Sequence, residues 1–89
     1  MKRPKQCFDL CEVWWDDATD LESGWSDKVE ELKPALALSV GFLVKGTKDH
    51  IVLALDTDAD GQHNGRSQIP RGMVKRIKVL RKKDADVNS

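Results

Sequence analysis

The apolar positions of this chain fall into short runs set off by turn-forming residues. Ser39-Val40-Gly41-Phe42-Leu43-Val44 meets Gly46-Thr47-Lys48-Asp49, and a second run, His50-Ile51-Val52-Leu53-Ala54-Leu55, leads into a polar stretch from Asp58 to Gly65. Runs of this length, bounded by Gly, Asp and Pro, predict the strands of a small antiparallel sheet. The pattern places strands at residues 7–16, 36–45, 50–57, 66–69 and 73–80. In the first, Cys7, Cys11, Val13 and Trp15 share one side, and Phe8, Leu10, Glu12 and Trp14 the other. Gly41 in mid-strand predicts a bulge or sharp bend, which a closed small barrel requires. Pro70-Arg71-Gly72 predicts a tight turn before the last strand.

Residues 17–34 carry Asp, Thr, Ser, Gly and Pro and read as a long connection. Within it Ser26–Leu32 predicts one short helix, with Asp27 and Glu30 as a capping pair, Val29 and Leu32 facing inward and Pro34 ending it. The last residues, 81–89, are polar and read as a flexible tail. With 89 residues, the chain is a single domain, 1–89, with its core at about 7–80. It has no apolar run approaching the ~18 residues of a membrane span, and the basic start Met1–Lys5 lacks the apolar segment of a signal peptide. The expected location is therefore cytoplasmic.

Charge changes this picture. The 15 Lys and Arg balance 15 Asp and Glu, but the two signs are segregated. Between Asp9 and Glu31 every charged residue except Lys28 is acidic, and between Arg66 and Lys83 every one is basic. A basic face for phosphates and complementary faces that meet between subunits both follow from such segregation, as does a merely solvated surface. Cys7 and Cys11 are four apart in one predicted strand, about 13 Å at ~3.3 Å per residue. A disulfide needs less than ~7 Å, so both are expected to be reduced.

Several groups are candidates for chemistry. Asp56-Thr57-Asp58-Ala59-Asp60-Gly61 opens like a calcium loop, in which alternate carboxylates converge on one cation. Its twelfth position is Ser67 rather than a bidentate Glu, and a strand precedes it, so calcium binding by Asp56, Asp58 and Asp60 stands only as an alternative to a solvated acidic loop. Arg71 at a tight turn presents a fork of donors to a phosphate or carboxylate. Arg76 and Lys78 share one face of the last strand; lysines on an exposed strand also guard against edge pairing. Trp14, Trp15 and Trp25 offer stacking surfaces, with Trp15 expected in the core and Trp14 on the opposite face. No catalytic arrangement assembles. The two histidines, His50 and His63, lie in or beside loops, and Cys11 has no basic neighbour in sequence to activate it. A non-enzymatic module without a cofactor is expected.

Val40-Gly41-Phe42-Leu43, followed by Asp49 and Ile51-Val52-Leu53, resembles the first signature of Sm and Sm-like proteins. Ile69-Pro70-Arg71-Gly72-Met73-Val74-Lys75-Arg76-Ile77 resembles the second. Over most of its length the chain is also similar to a group of short phage proteins of unknown function. Its Val13-Trp14-Trp15-Asp16-Asp17-Ala18, Gly24-Trp25, Ser39-Val40-Gly41-Phe42-Leu43 and Ile69-Pro70 carry that likeness. The resemblance implies a mostly β fold, a five-stranded, strongly bent Sm-like or SH3-like barrel that assembles into a homo-oligomeric ring. It implies single-stranded RNA or nucleotide binding at two turns, with Asp49 and His50 at one and Arg71 and Gly72 at the other. Arg76 and Lys78 join them as cations, and Trp14 as a stacking residue. A phage origin would put the protein in the host cytoplasm. The alternative is an inhibitor or adaptor that docks on a host protein through the acidic stretch Asp16–Glu31.

Overall fold

A computed structural model describes residues 3–16 and 36–85. Five strands make one antiparallel sheet: β1 (Leu10–Asp16), β2 (Leu36–Gly46), β3 (His50–Thr57), β4 (His63–Pro70) and β5 (Val74–Arg81), in the order β4-β3-β2-β1-β5. The mostly β expectation holds. β4 begins earlier than the apolar pattern suggests, because the polar residues His63 and Asn64 already pair along β3. Among the described residues the one helical element is a 3-10 turn, Arg71–Met73, between β4 and β5. The helix expected at Ser26–Leu32, Trp25 and most of the acidic stretch lie outside the described residues.

Alternation sorts the strands into two faces. Val13, Ile51, Leu53 and Ile69 form the buried core, and Trp15, Leu43 and Val74 pack against it. All five strands contribute, so the core fills the concave side. Trp15 brings its indole N–H to the Ser39 hydroxyl at 2.9 Å, which satisfies its polar end. Cys11, fully buried, follows the same inward parity. Both cysteines are free thiols, as their spacing requires.

The connection between β4 and β5 fixes the shape of the sheet. These two strands are its opposite edges, which in a flat five-stranded sheet lie about 19 Å apart. Pro70 and Val74 are four residues apart and span at most about 14 Å even when extended. The sheet must therefore curl until the two edges meet at the 3-10 turn. Its ladder remains open, since β4 and β5 are not hydrogen-bonded neighbours.

The curl has local causes. A Cβ on Gly41 would lie 2.9 Å from the Ala54 carbonyl oxygen and 3.2 Å from Leu53 Cβ, so glycine is what lets β2 approach β3. The β2–β3 register shifts between Leu43 and Lys45, leaving Val44 as a bulged residue. β5 carries two more irregularities against β1, at Lys75 and Leu80. Bulges of this kind bend the strand and increase its twist.

Candidate functional site

The β2–β3 turn is organised by Thr47. Its backbone N–H donates to the His50 carbonyl at 2.8 Å, and its hydroxyl accepts from the N–H groups of Asp49 (3.2 Å) and His50 (3.1 Å). The 3-10 turn docks directly on this structure. Arg71 N–H donates to the Asp49 carbonyl at 2.9 Å, and Arg71 Nε donates to the Thr47 carbonyl. Gly46 leaves room for the guanidinium: a Cβ there would sit 3.0 Å from Arg71 Nη2. Asp49, His50, Arg71 and Gly72, from two turns more than twenty residues apart in sequence, thus share one corner. Asp49 and Arg71 are exposed, and His50 is half-buried. Gly72 has open space around it, with nothing within 4 Å of a would-be Cβ.

Arg76, Lys78 and Trp14 form a second group. Trp14 lies opposite Arg76, and Glu12 opposite Lys78, across the β1–β5 ladder. On its other side Trp14 faces Leu38, and Glu12 faces Val40. Directly opposed residues project from the same face of a sheet, so cations, indole and aliphatic residues share the outer surface. Trp14 is 38% exposed and donates its indole N–H to Glu12 Oε1 at 2.9 Å. The intervening β1 separates Arg76 and Lys78 from β2.

Asp56, Asp58 and Asp60 are not brought together as a cation site. Asp58 Oδ1 instead accepts the N–H groups of Asp60 and Gln62, both at 2.9 Å, and so organises the β3–β4 turn. Gly61, at φ 86°, supplies the left-handed residue that this turn needs. Among the described residues no three His, Cys, Asp or Glu side chains are placed to hold a metal ion.

A groove that the sequence does not single out crosses the outer face of β2, β3 and β4. Its volume is about 470 Å³, and Val44, Lys45, His50, Val52, His63, Arg66 and Gln68 line it. Simple alternation would set Lys45 on the same face as Leu43. The bulge at Val44 reverses that parity and aligns Lys45 with Val52 and Gln68. His63 packs edge-on against Phe8, with ring centroids 5.8 Å apart. Its Nδ1 is buried without a hydrogen-bond partner.

The shifted titrations lie elsewhere. Asp84 is held down at about 2 by its hydrogen bond from Arg3 and by the backbone N–H of Gln6. Burial, with the nearby Asp9 carboxylate, pushes the Cys11 thiol up and keeps it protonated. Among the described residues no helix is long and apolar enough to cross a membrane. No family model, curated protein or solved structure matches the chain.

Proposed function

We propose that this protein is a non-enzymatic binding module of Sm-like build, which assembles head-to-tail into a ring and takes single-stranded RNA or a nucleotide at the Arg71 corner. The observation that carries this reading is the docking of the 3-10 turn on the β2–β3 turn, with Arg71 N–H 2.9 Å from the Asp49 carbonyl. Through it two separate loops form one rim, with the guanidinium fixed at Nε and its outer nitrogens facing a ligand. The curl that brings the edges of the sheet to one corner supports barrel closure. Two unlike edges, β4 and β5, unpaired among the described residues, support head-to-tail assembly, since pairing of unlike edges closes into a ring or extends as a filament.

Fluorescence anisotropy with a labelled single-stranded RNA tests the reading. Arg71→Glu is expected to weaken binding about tenfold or more, as for a charge-assisted hydrogen bond. It should also lower the salt slope by about 0.7 for each phosphate that is no longer neutralised. Unchanged affinity in this variant, or no binding by the wild-type protein at low salt, overturns it.

A second reading, an adaptor or inhibitor of a host protein, is favoured by the outer-face strip of Trp14, Leu38 and Val40. These residues are 38%, 50% and 49% exposed, and exposed aromatic and aliphatic clusters mark protein contacts. Under this reading Trp14→Ala abolishes capture of a protein partner while RNA affinity is absent in both forms.

A further inference from the structure

We infer that the groove across β2, β3 and β4 is a binding site for a terminal phosphate monoester, with Lys45, Arg66, His50, His63 and Gln68 supplying its donors. The inference goes beyond the RNA-binding reading, because this groove lies on the outer face of β3 and shares only His50 with the Arg71 corner. Its volume, about 470 Å³, falls in the range of small-molecule sites.

The lining decides the sign of the ligand. Two fixed cations, two imidazoles and one carboxamide surround the groove beside two valines, and none of the lining side chains is acidic. Neither Lys45 nor Arg66 belongs to an ion pair among the described residues, where the salt bridge formed is Arg3–Asp84. Asp56, opposite Asn64, lies diagonally across the ladder from Arg66 and outside the groove lining. Asp56 and Asp58 line an adjoining depression of about 240 Å³ that shares His63 with the groove. The groove lining itself is cationic, and an anion is favoured on its Lys45–Arg66 side.

The number of donors decides the class of anion. A lysine ammonium offers three N–H groups, an arginine guanidinium five in a planar fork, and the glutamine amide two. A carboxylate has two oxygens, and a phosphodiester within a chain has two free ones. A terminal monoester presents three, with close to two negative charges at neutral pH. It matches the donor set best. Val44 and Val52 add an apolar wall for the group esterified to the phosphate. A free nucleotide and the phosphorylated end of an RNA share this chemistry.

Isothermal titration calorimetry on the full chain at fixed pH and ionic strength separates the outcomes. Adenosine monophosphate, its cyclic 3′,5′-diester, adenosine, and one RNA with either a 5′-phosphate or a 5′-hydroxyl are the probes. Binding of the monophosphate in preference to the cyclic diester and to adenosine is expected. Lys45→Gln and Arg66→Gln, both at exposed positions, should each weaken it about tenfold or more while leaving the circular dichroism spectrum unchanged. Preference for the 5′-phosphorylated RNA over its 5′-hydroxyl form assigns the RNA end as the source. Monophosphate binding without that preference assigns a free nucleotide. In NMR spectra the His50 and His63 imidazole signals should shift on adding inorganic phosphate. No heat from the monophosphate at millimolar concentration, equal binding of the cyclic diester, or full affinity in both Gln variants overturns the inference.

Discussion

Asp84 shows how much one side chain can organise. Its carboxylate takes the Arg3 guanidinium at 2.6 and 3.0 Å and the Gln6 backbone N–H at 2.8 Å, while its own N–H donates to the Gln6 carbonyl at 2.9 Å. Gln6, buried, sends its amide to the Phe8 and Arg81 carbonyls, both at 2.9 Å. Asp9 adds a bond from the Lys83 N–H at 2.8 Å. The segments before β1 and after β5 are thereby tied together. These bonds favour the ionised form of Asp84 and hold it at about 2, below its ordinary 3.8. A carboxyl whose native value is depressed contributes stability above its unfolded value and loses it as pH falls through the native one. The window runs from near pH 4 down to about 2. Asp84→Asn is therefore expected to lower the urea midpoint at pH 6, with the gap to wild type closing as pH falls through that window. Amide exchange at Gln6 should accelerate in the variant. A gap that stays constant between pH 6 and pH 2 would show that the carboxylate charge is not what ties the segments.

At the scale of the element, β2 is the strand on which the fold turns. It pairs with β1 over Leu36–Phe42 and with β3 over Phe42–Gly46, and the change of partner falls next to Gly41. Because the Ala54 carbonyl oxygen and Leu53 Cβ stand where a Cβ would go, Gly41→Ala must push β2 away from β3. A loss of about 1–3 kcal/mol is expected, the range for overpacking a filled interior. Chemical denaturation measures it, and a neutral result would mean that the two strands are free to part. Gly41 is also the residue from which the sequence predicts a bend. Apolar runs locate β1, β2, β3 and β5: β1 buries Cys11 and Val13 and β3 buries Ile51 and Leu53 at alternate positions, while β2 and β5 lend the core Leu43 and Val74. They make β4 too short because the first residues of that strand are polar on both faces and pair through backbone alone. The site divides in the same way. Turn chemistry locates the two turns that hold Asp49, Arg71 and Gly72, since Thr, Asp, Pro and Gly signal turns locally, while their choice as site residues comes from the family resemblance. The groove is not visible, because its residues meet only through strand pairing and one of them, Lys45, changes face at a bulge that no local pattern marks. The ties made by Asp9 and Asp84 join the two ends of the chain and leave no periodic trace.

For the whole molecule, the question is what covers the two open edges. β4 exposes Asn64, Arg66 and Gln68, while β5 exposes Ile77, Val79 and Leu80 among its cations. Two copies that met through β5 alone would oppose Lys75, Arg76, Lys78 and Arg81 with themselves, and like charges facing each other disfavour that pairing. β4 carries a single cation, Arg66, and is the partner that β5 tolerates. In the proposed ring, repeating that contact would give each copy one donor edge and one acceptor edge. Leu80 isolates this contact from the fold. It is the bulged residue between Val79 and Arg81, has no partner on β1, and is 44% exposed in the single chain. A carboxylate there costs the isolated subunit little but is buried wherever β5 is covered by a neighbour, and an unpaired buried charge is strongly destabilising. Leu80→Glu should therefore convert an assembly to monomers in size exclusion with light scattering, with the circular dichroism spectrum retained. Loss of the assembly should also weaken RNA binding, because a ring places several Arg71 corners on one strand and raises their effective concentration. A wild-type protein that is monomeric at all concentrations, or a Leu80→Glu variant that keeps its full mass, would separate the single-chain site from any ring and leave the Arg71 corner to act alone.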